Sequence, residues 1–201
     1  MENYLRDIQD IKKMMDRSSQ FLSLSGLAGV MAGIYALIGA YFVNRLYDFN
    51  YGHYITLEST SFKLMIAIAG AVLVFSVVTA YILTARKAKK QGETVWNSTT
   101  KRLAVNFMIP LLTGGIFAVL LIKNEYYGLI APITLLFYGL SIINASKYTV
   151  RDVRYLGLTI IVIGLLATAF MGYGLEFWAL GFGVCHIIYG TVMHFKYDRN
   201  Q

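Results

Sequence analysis

Long apolar runs alternating with short polar clusters are the dominant pattern of this chain. Six runs are long enough to cross ~30 Å of hydrocarbon at ~20 residues each. They cover 21–43, 62–85, 103–122, 126–145, 153–171 and 175–195. The fourth and fifth are interrupted by polar residues. Each run must be a helix, because lipid offers no partner to a backbone N–H or C=O and only a helix pairs them within one segment. The pattern predicts an all-α fold, a polytopic membrane six-helix bundle. Its divisions are a cytoplasmic amphipathic helix at 1–20, the bundle at 21–195 and a cytoplasmic tail at 196–201.

Lysine and arginine give the orientation. Four precede the first run, six lie between the second and third (86–102), three in the loop region of the fourth and fifth (Lys147, Arg151 and Arg154), and two in the tail. The other side has only Arg45, Lys63 and Lys123. Such asymmetry is the positive-inside pattern, and it predicts N-in and C-in. Tyrosines and tryptophans fall near both boundaries, as amphipathic rings do at headgroup depth. Ser59-Thr60-Ser61 is placed to cap the second helix, and Thr149-Val150-Arg151-Asp152 has the form of a capping box for the fifth. Very short connections predict tight hairpins between helices three and four and between five and six.

Composition agrees with this reading. The chain has 201 residues, 57% hydrophobic and 14% charged, against about 25% charged in soluble domains. Its net charge of +7 would point to nucleic acid in a soluble protein. Here topology and anionic lipid account for it, so the bilayer is the expected partner and direct nucleic-acid binding is not expected. The run beginning at 21 is too long for the apolar region of a signal peptide. Asn97-Ser98-Thr99 and Asn144-Ala145-Ser146 match the glycosylation sequon but fall on the predicted cytoplasmic side, where it is unused.

Residues 1–20 differ in kind. Tyr4, Ile8, Ile11 and Met15 form an amphipathic stripe whose polar face carries four basic and four acidic residues. Mixed charge suits a protein surface better than anionic headgroups. The stripe is therefore a candidate contact for a cytoplasmic protein or a second copy, or else an extension of the first helix along the inner surface. Within the first run, Gly29 and Gly33 form a GxxxG beside Ala28, Ala32, Ala36 and Ala40. That spacing permits close helix packing, inside the bundle or in a homo-oligomer.

The acidic residues all avoid the middle of the spans, which argues against proton or cation coupling and against paired-carboxylate catalysis there. His186, beside Cys185, is the one titratable side chain at midplane depth besides tyrosine. With Tyr35, Tyr138 and Tyr189 it forms a candidate polar pocket, although a packed histidine bonded to a neighbour is the plainer alternative. His194 lies ~12 Å further along the axis, too far to share a metal or haem with it. His53 with Asp48 and Glu58 matches no metal-site spacing. Pro110, before Gly114-Gly115, and Pro132 predict kinks, with Asn106 one turn into helix three. A weak echo links Tyr138-Gly139 to Tyr189-Gly190. One cysteine allows neither an internal disulfide nor a cysteine-based zinc site. Phosphate loops, nucleophile elbows, HExxH and CxxC are absent. No catalytic residue, cofactor or metal is expected.

Two stretches carry a resemblance. One is Ile11-Lys12-Lys13-Met14-Met15-Asp16-Arg17-Ser18-Ser19 running into Leu24-Ser25-Gly26-Leu27-Ala28-Gly29. The other runs from Ala131-Pro132 through Tyr138-Gly139 and Asn144-Ala145-Ser146-Lys147-Tyr148-Thr149 to Arg154-Tyr155-Leu156-Gly157. With Gly172-Tyr173-Gly174 and Gly181-Phe182-Gly183 they resemble an uncharacterised family of six-span bacterial inner-membrane proteins with no assigned activity, met beside small winged-helix regulators. The resemblance implies a bacterial inner-membrane location and a regulatory role, and carries no site residues. The expected function is a non-enzymatic scaffold, sensor or regulatory partner working through its cytoplasmic face. The alternative is permeation of a small solute or ion through a midplane site.

Overall fold

The computed structural model describes residues 24–49, 59–92 and 94–198. The stripe of Tyr4, Ile8, Ile11 and Met15, together with His53 and Glu58, lies outside them. The described residues are 88% helical with no strands, in six helices. These are α1 (Gly26–Phe49), α2 (Thr60–Lys90), α3 (Ser98–Lys123), α4 (Ile130–Ala145), α5 (Val153–Ala169) and α6 (Gly174–Asp198). Short 3₁₀ turns, Tyr127–Leu129 and Ser146–Tyr148, flank α4. Five helices, α4 counted with its flanking turns as Tyr127–Tyr148, are long and apolar enough to cross a membrane, as a multi-pass membrane protein requires. The exception is α5, whose 17 residues span about 26 Å.

Local chemistry sets the ends. The Ser59 hydroxyl accepts from the Phe62 N–H at 3.1 Å and starts α2. Asn97, first residue of a sequon, instead caps α3 by accepting from the Thr100 N–H at 2.8 Å. α5 begins after Asp152, which makes no side-chain cap bond of its own. Its carboxylate is turned to α6. The fifth helix also stops two residues before the expected 171, because Phe170 leaves the helical region and Gly172 turns at φ +107°. Helix six, by contrast, runs through Asp198 rather than ending at 195. Residues 196–198 thus belong to the bundle and not to a tail. Pro132 stands in the first turn of α4, where its missing N–H costs nothing, so no kink is needed there.

Two helices act as hubs. α1 packs between α2 and α6, and α4 between α3 and α5. α5 and α6 join the two groups, with the first turns of α6 against α4. The core lies at this junction: Leu135, Ile142, Ile160, Ile163, Ala167 and Met193 are buried. α2 and α3, although consecutive, do not pack along their lengths. α2 buries only Thr84 and Ala88, near one end. That end, the basic end, also carries Lys87, Lys89 and Lys90 of α2, Lys101 and Arg102 of α3, Arg151 just before α5 and Arg154 within it, and Lys196 of α6.

Glycine lets α1 and α6 touch backbone to backbone. A Cβ on Gly33 would lie 2.6 Å from the Gly183 carbonyl, and one on Gly190 would lie 2.5 Å from the Val30 nitrogen. Gly29 rests on the Gly190 Cα. The GxxxG face of α1 is therefore occupied by α6, where van der Waals contact does the work that water exclusion does in soluble cores.

Candidate functional site

His186 stands at the middle of α6, where the helix departs from α geometry. Between Ala179 and Val184 it winds as a π helix, and the Cys185 N–H donates to the Leu180 carbonyl, five residues back. The Gly181 carbonyl, also five residues back from His186, lies 3.0 Å from its Nδ1. The Tyr138 hydroxyl of α4 lies 2.8 Å from Nε2. A carbonyl only accepts, so the neutral ring that satisfies both bonds carries its proton on Nδ1. Nε2 then accepts from the tyrosine. Phe182 stacks on the imidazole at 15° between planes and also meets Tyr138 and Trp178. Phe107 of α3 meets Tyr138 edge to face. His186 is 5% exposed, and both its nitrogens are used.

The structure brings together only two of the four residues expected at this depth. Tyr35 turns away: its hydroxyl bonds Thr79 Oγ1 of α2 at 3.2 Å and its ring meets Phe75. Tyr189 packs against the α5 core, and among the described residues its buried hydroxyl has no hydrogen-bond partner. Depth along a helix is readable from sequence; direction around it is set by packing. Two shallow apolar concavities, one lined by Phe170, Tyr173, Glu176, Phe177 and Leu180 and one by Phe42, Arg45, Leu46, Leu64 and Ile68, both lie away from His186. Among the described residues no group of three histidine, cysteine or acidic side chains is placed to hold a metal.

Removing the Tyr138 hydroxyl strands Nε2 in an apolar setting. Tyr138→Phe is expected to cost about 0.6–1.7 kcal/mol, the range of single polar contacts between membrane helices, read from the unfolding midpoint in mild detergent.

The richer polar chemistry sits at the basic end. Asp198, in the last turn of α6, takes the Gly26 N–H of α1 at 2.9 Å, Lys87 Nζ of α2 at 2.7 Å and His194 Nδ1 at 3.2 Å. Lys87 also donates to the Leu24 carbonyl at 3.2 Å. Three helices are tied at one carboxylate. A second tie joins α5 to α6: Asp152 Oδ2 accepts from Lys196 Nζ at 2.6 Å and from the Tyr197 hydroxyl at 3.0 Å. Deeper in, the Asn144 amide donates to the Asn106 carbonyl at 2.9 Å, while Asn106, two turns into α3 rather than one, bonds back to the Arg102 carbonyl. Sequence reasoning missed both carboxylate clusters, having assigned Lys196 and Asp198 to a tail. The available signal was the His194–Asp198 pair at helical spacing.

The hydrogen bond from Lys196 holds the Asp152 carboxyl below the usual carboxylate range, helped by Tyr197 and opposed by partial burial. A depressed acid stabilises the fold above its unfolded value, near pH 4, and that contribution is lost as pH falls through the lower folded value. Acid titration of the purified chain is expected to show weakening of the α5–α6 tie only below about pH 4. Asp152→Asn should remove that part of the acid limb.

Comparison with family models, curated proteins and solved structures finds no match.

Proposed function

We propose that the chain is a six-span integral protein of the bacterial inner membrane, N-in and C-in, and that it acts as a non-enzymatic scaffold, sensor or regulatory partner through its cytoplasmic face. The observation that carries this reading is the contrast between midplane and basic end. At midplane the one imidazole is consumed by two internal bonds. At the basic end Asp198 gathers the start of α1, the lysine-rich end of α2 and the end of α6. The start of α1 and the end of α2 therefore meet at one corner of the bundle, which suits a composite docking surface for a cytoplasmic protein. The shortness of α5 fits a sixth span if Arg154 and Tyr155, both exposed, reach to the headgroups while the bilayer thins locally.

Deleting residues 1–17 should abolish recovery of a specific partner in a crosslinking pull-down from membranes. Equal recovery with and without the segment would remove this reading. Orientation is checked separately with a cysteine at Trp96, 65% exposed, in a Cys185→Ser chain: a membrane-impermeant thiol reagent should label it in inside-out vesicles and not in intact cells.

One observation favours the alternative of small-solute permeation. α6 carries a π turn at mid-length beside Tyr138 and His186, and such turns recur at functional sites. That reading requires water to reach the pair. A cysteine placed at Phe182 that stays unlabelled by soluble thiol reagents would count against it.

A further inference from the structure

The two hubs are equivalent, and the equivalence extends to individual residues. Leu37 of α1 fills the space beside Gly183 of α6, and Phe137 of α4 fills the space beside Gly114 of α3. Gly39 of α1 receives Val72 of α2, and Gly139 of α4 receives Ile161 of α5. Leu37 and Phe137 are 100 residues apart, as are Gly39 and Gly139. The partner helices keep offsets of their own. Val72 and Ile161 are 89 apart; so are Phe75, which meets Tyr35, and Gly164, which lies against Leu136 and Leu135. Gly114 and Gly183 are 69 apart, as are Pro110 and Ala179, where the π turn of α6 begins. Both third helices thus lose regular α-helical hydrogen bonding at the same place, α3 because Pro110 has no N–H to give and α6 in its π turn. The falling offsets, 100, 89 and 69, mean only that the second half has shorter connections.

Residues 24–123 and 127–198 therefore form two three-helix repeats in which α1 corresponds to α4, α2 to α5 and α3 to α6. An odd number of helices per repeat makes the second run in the opposite direction through the membrane. The third helices are exchanged: α6 packs on α1 and α3 on α4. The echo between Tyr138-Gly139 and Tyr189-Gly190 falls outside this correspondence, since Gly139 faces α5 and Gly190 faces α1.

One pair breaks the symmetry. α5 packs on α6 through Ile163 against Gly181, Phe170 against Phe177, and Asp152 on Lys196. The equivalent pair, α2 and α3, has no packed seam. The offsets map Ile163 and Gly181 onto Val74 and Leu112, and Phe170 and Phe177 onto Tyr81 and Met108. All four counterparts are exposed, Val74 at 59% and Leu112 at 58%. The ion pair is not repeated, since Asp152 and Lys196 map onto Lys63 and Tyr127; the apolar part of the seam is, and a single chain with one such seam closed and one open can hold a second arrangement.

We infer that the bundle is an inverted three-plus-three repeat whose units, α1–α2–α6 and α3–α4–α5, rock against each other, closing α2 onto α3 as α5 parts from α6. The hub contacts stay intact, because each lies within one unit. The contacts that break lie between units: Tyr138 with His186 at midplane and Asp152 with Lys196 at the basic end. The inference stands independently of any cytoplasmic partner.

The test uses the full-length chain with Cys185→Ser, in membranes. Val74→Cys with Leu112→Cys is one pair, and Phe170→Cys with Phe177→Cys the other. Each pair should cross-link within one chain by a short bis-thiol reagent. With all four cysteines present, prior oxidation of the Phe170/Phe177 pair should abolish cross-linking of the Val74/Leu112 pair. Failure of Val74/Leu112 to link, or linking undiminished by the closed second pair, overturns the inference. So does a linked product of twice the chain mass, which would assign the exposed α2 and α3 faces to a second copy. Spin labels at 74 and 112 alone, both on exposed positions, give an independent reading in nanodiscs. Two distance populations are expected, and a single long one overturns it.

Discussion

Replacing Gly190 by leucine is expected to cost the chain its folded bundle. The first atom of the new side chain would lie 2.5 Å from the Val30 nitrogen and 2.7 Å from the Gly26 carbonyl oxygen. Both are backbone atoms, so no rotamer change relieves the clash; α1 and α6 must separate. Their seam also includes Gly29 and Gly33, so the separation spreads along the helices. Overpacking a well-packed core typically costs about 1–3 kcal/mol, and backbone clashes lie at or above the top of that range. Gly190→Leu should elute as aggregate on size exclusion in mild detergent. Gly70→Ala and Gly115→Ala, where an added Cβ meets nothing within 4 Å, should stay within about 0.5 kcal/mol of the parent. A Gly190→Leu chain that melts with the parent would show that this seam does not hold the bundle.

The second large effect is expected at Asp198. Its side chain is 11% exposed and that of its partner Lys87 is 12% exposed. Asp198→Asn leaves the Lys87 ammonium with one charge partner fewer in a largely desolvated place. Removing one partner from a part-buried charged hydrogen bond costs about 1.5–3 kcal/mol. The loss should be directional. α2 lies along α1, with Val72 at Gly39 and Thr79 bonded to Tyr35, but among the described residues it buries only Thr84 and Ala88, beside Lys87, so its release should begin at that end. Limited proteolysis after residue 86 should accelerate in Asp198→Asn ahead of cleavage elsewhere. Lys87→Met with Asp198→Leu, which removes both charges, should recover much of the stability. Equal proteolysis of parent and Asp198→Asn would mean that α2 is held by other contacts.

The two substitutions probe features of different legibility. Gly29 and Gly33 are recognisable as a close-packing face because the spacing is local: three to four residues is one helical turn. Nothing local says that Gly183 and Gly190 will fill that face. Asp198 and Lys87 are 111 residues apart, and near a chain end an acidic side chain reads as solvated. The same holds at midplane. Counting residues from the boundary places Tyr35, Tyr138, His186 and Tyr189 at similar depth, since each residue of a helix advances ~1.5 Å. The structure joins only Tyr138 to His186.

What the sequence by itself determined is whatever depends on local order: that the chain is helical, where apolar runs begin and end, that Ser59 caps α2, and that charge collects at one end. These follow because hydrocarbon forces backbone pairing within each segment and polar residues mark its limits. Beyond the two short hairpins, only the tertiary structure decided which helices touch. It made α1 and α4 hubs, tied Asp152 to Lys196, seated the GxxxG face on α6, and revealed the two repeats. The physical reason is that helix length is set along the chain, whereas helix azimuth is set by close packing between segments far apart in it. Small residues such as Gly114 and Gly183 are apolar in any one-dimensional pattern, and they show their role only when the side chain that fills them is in place.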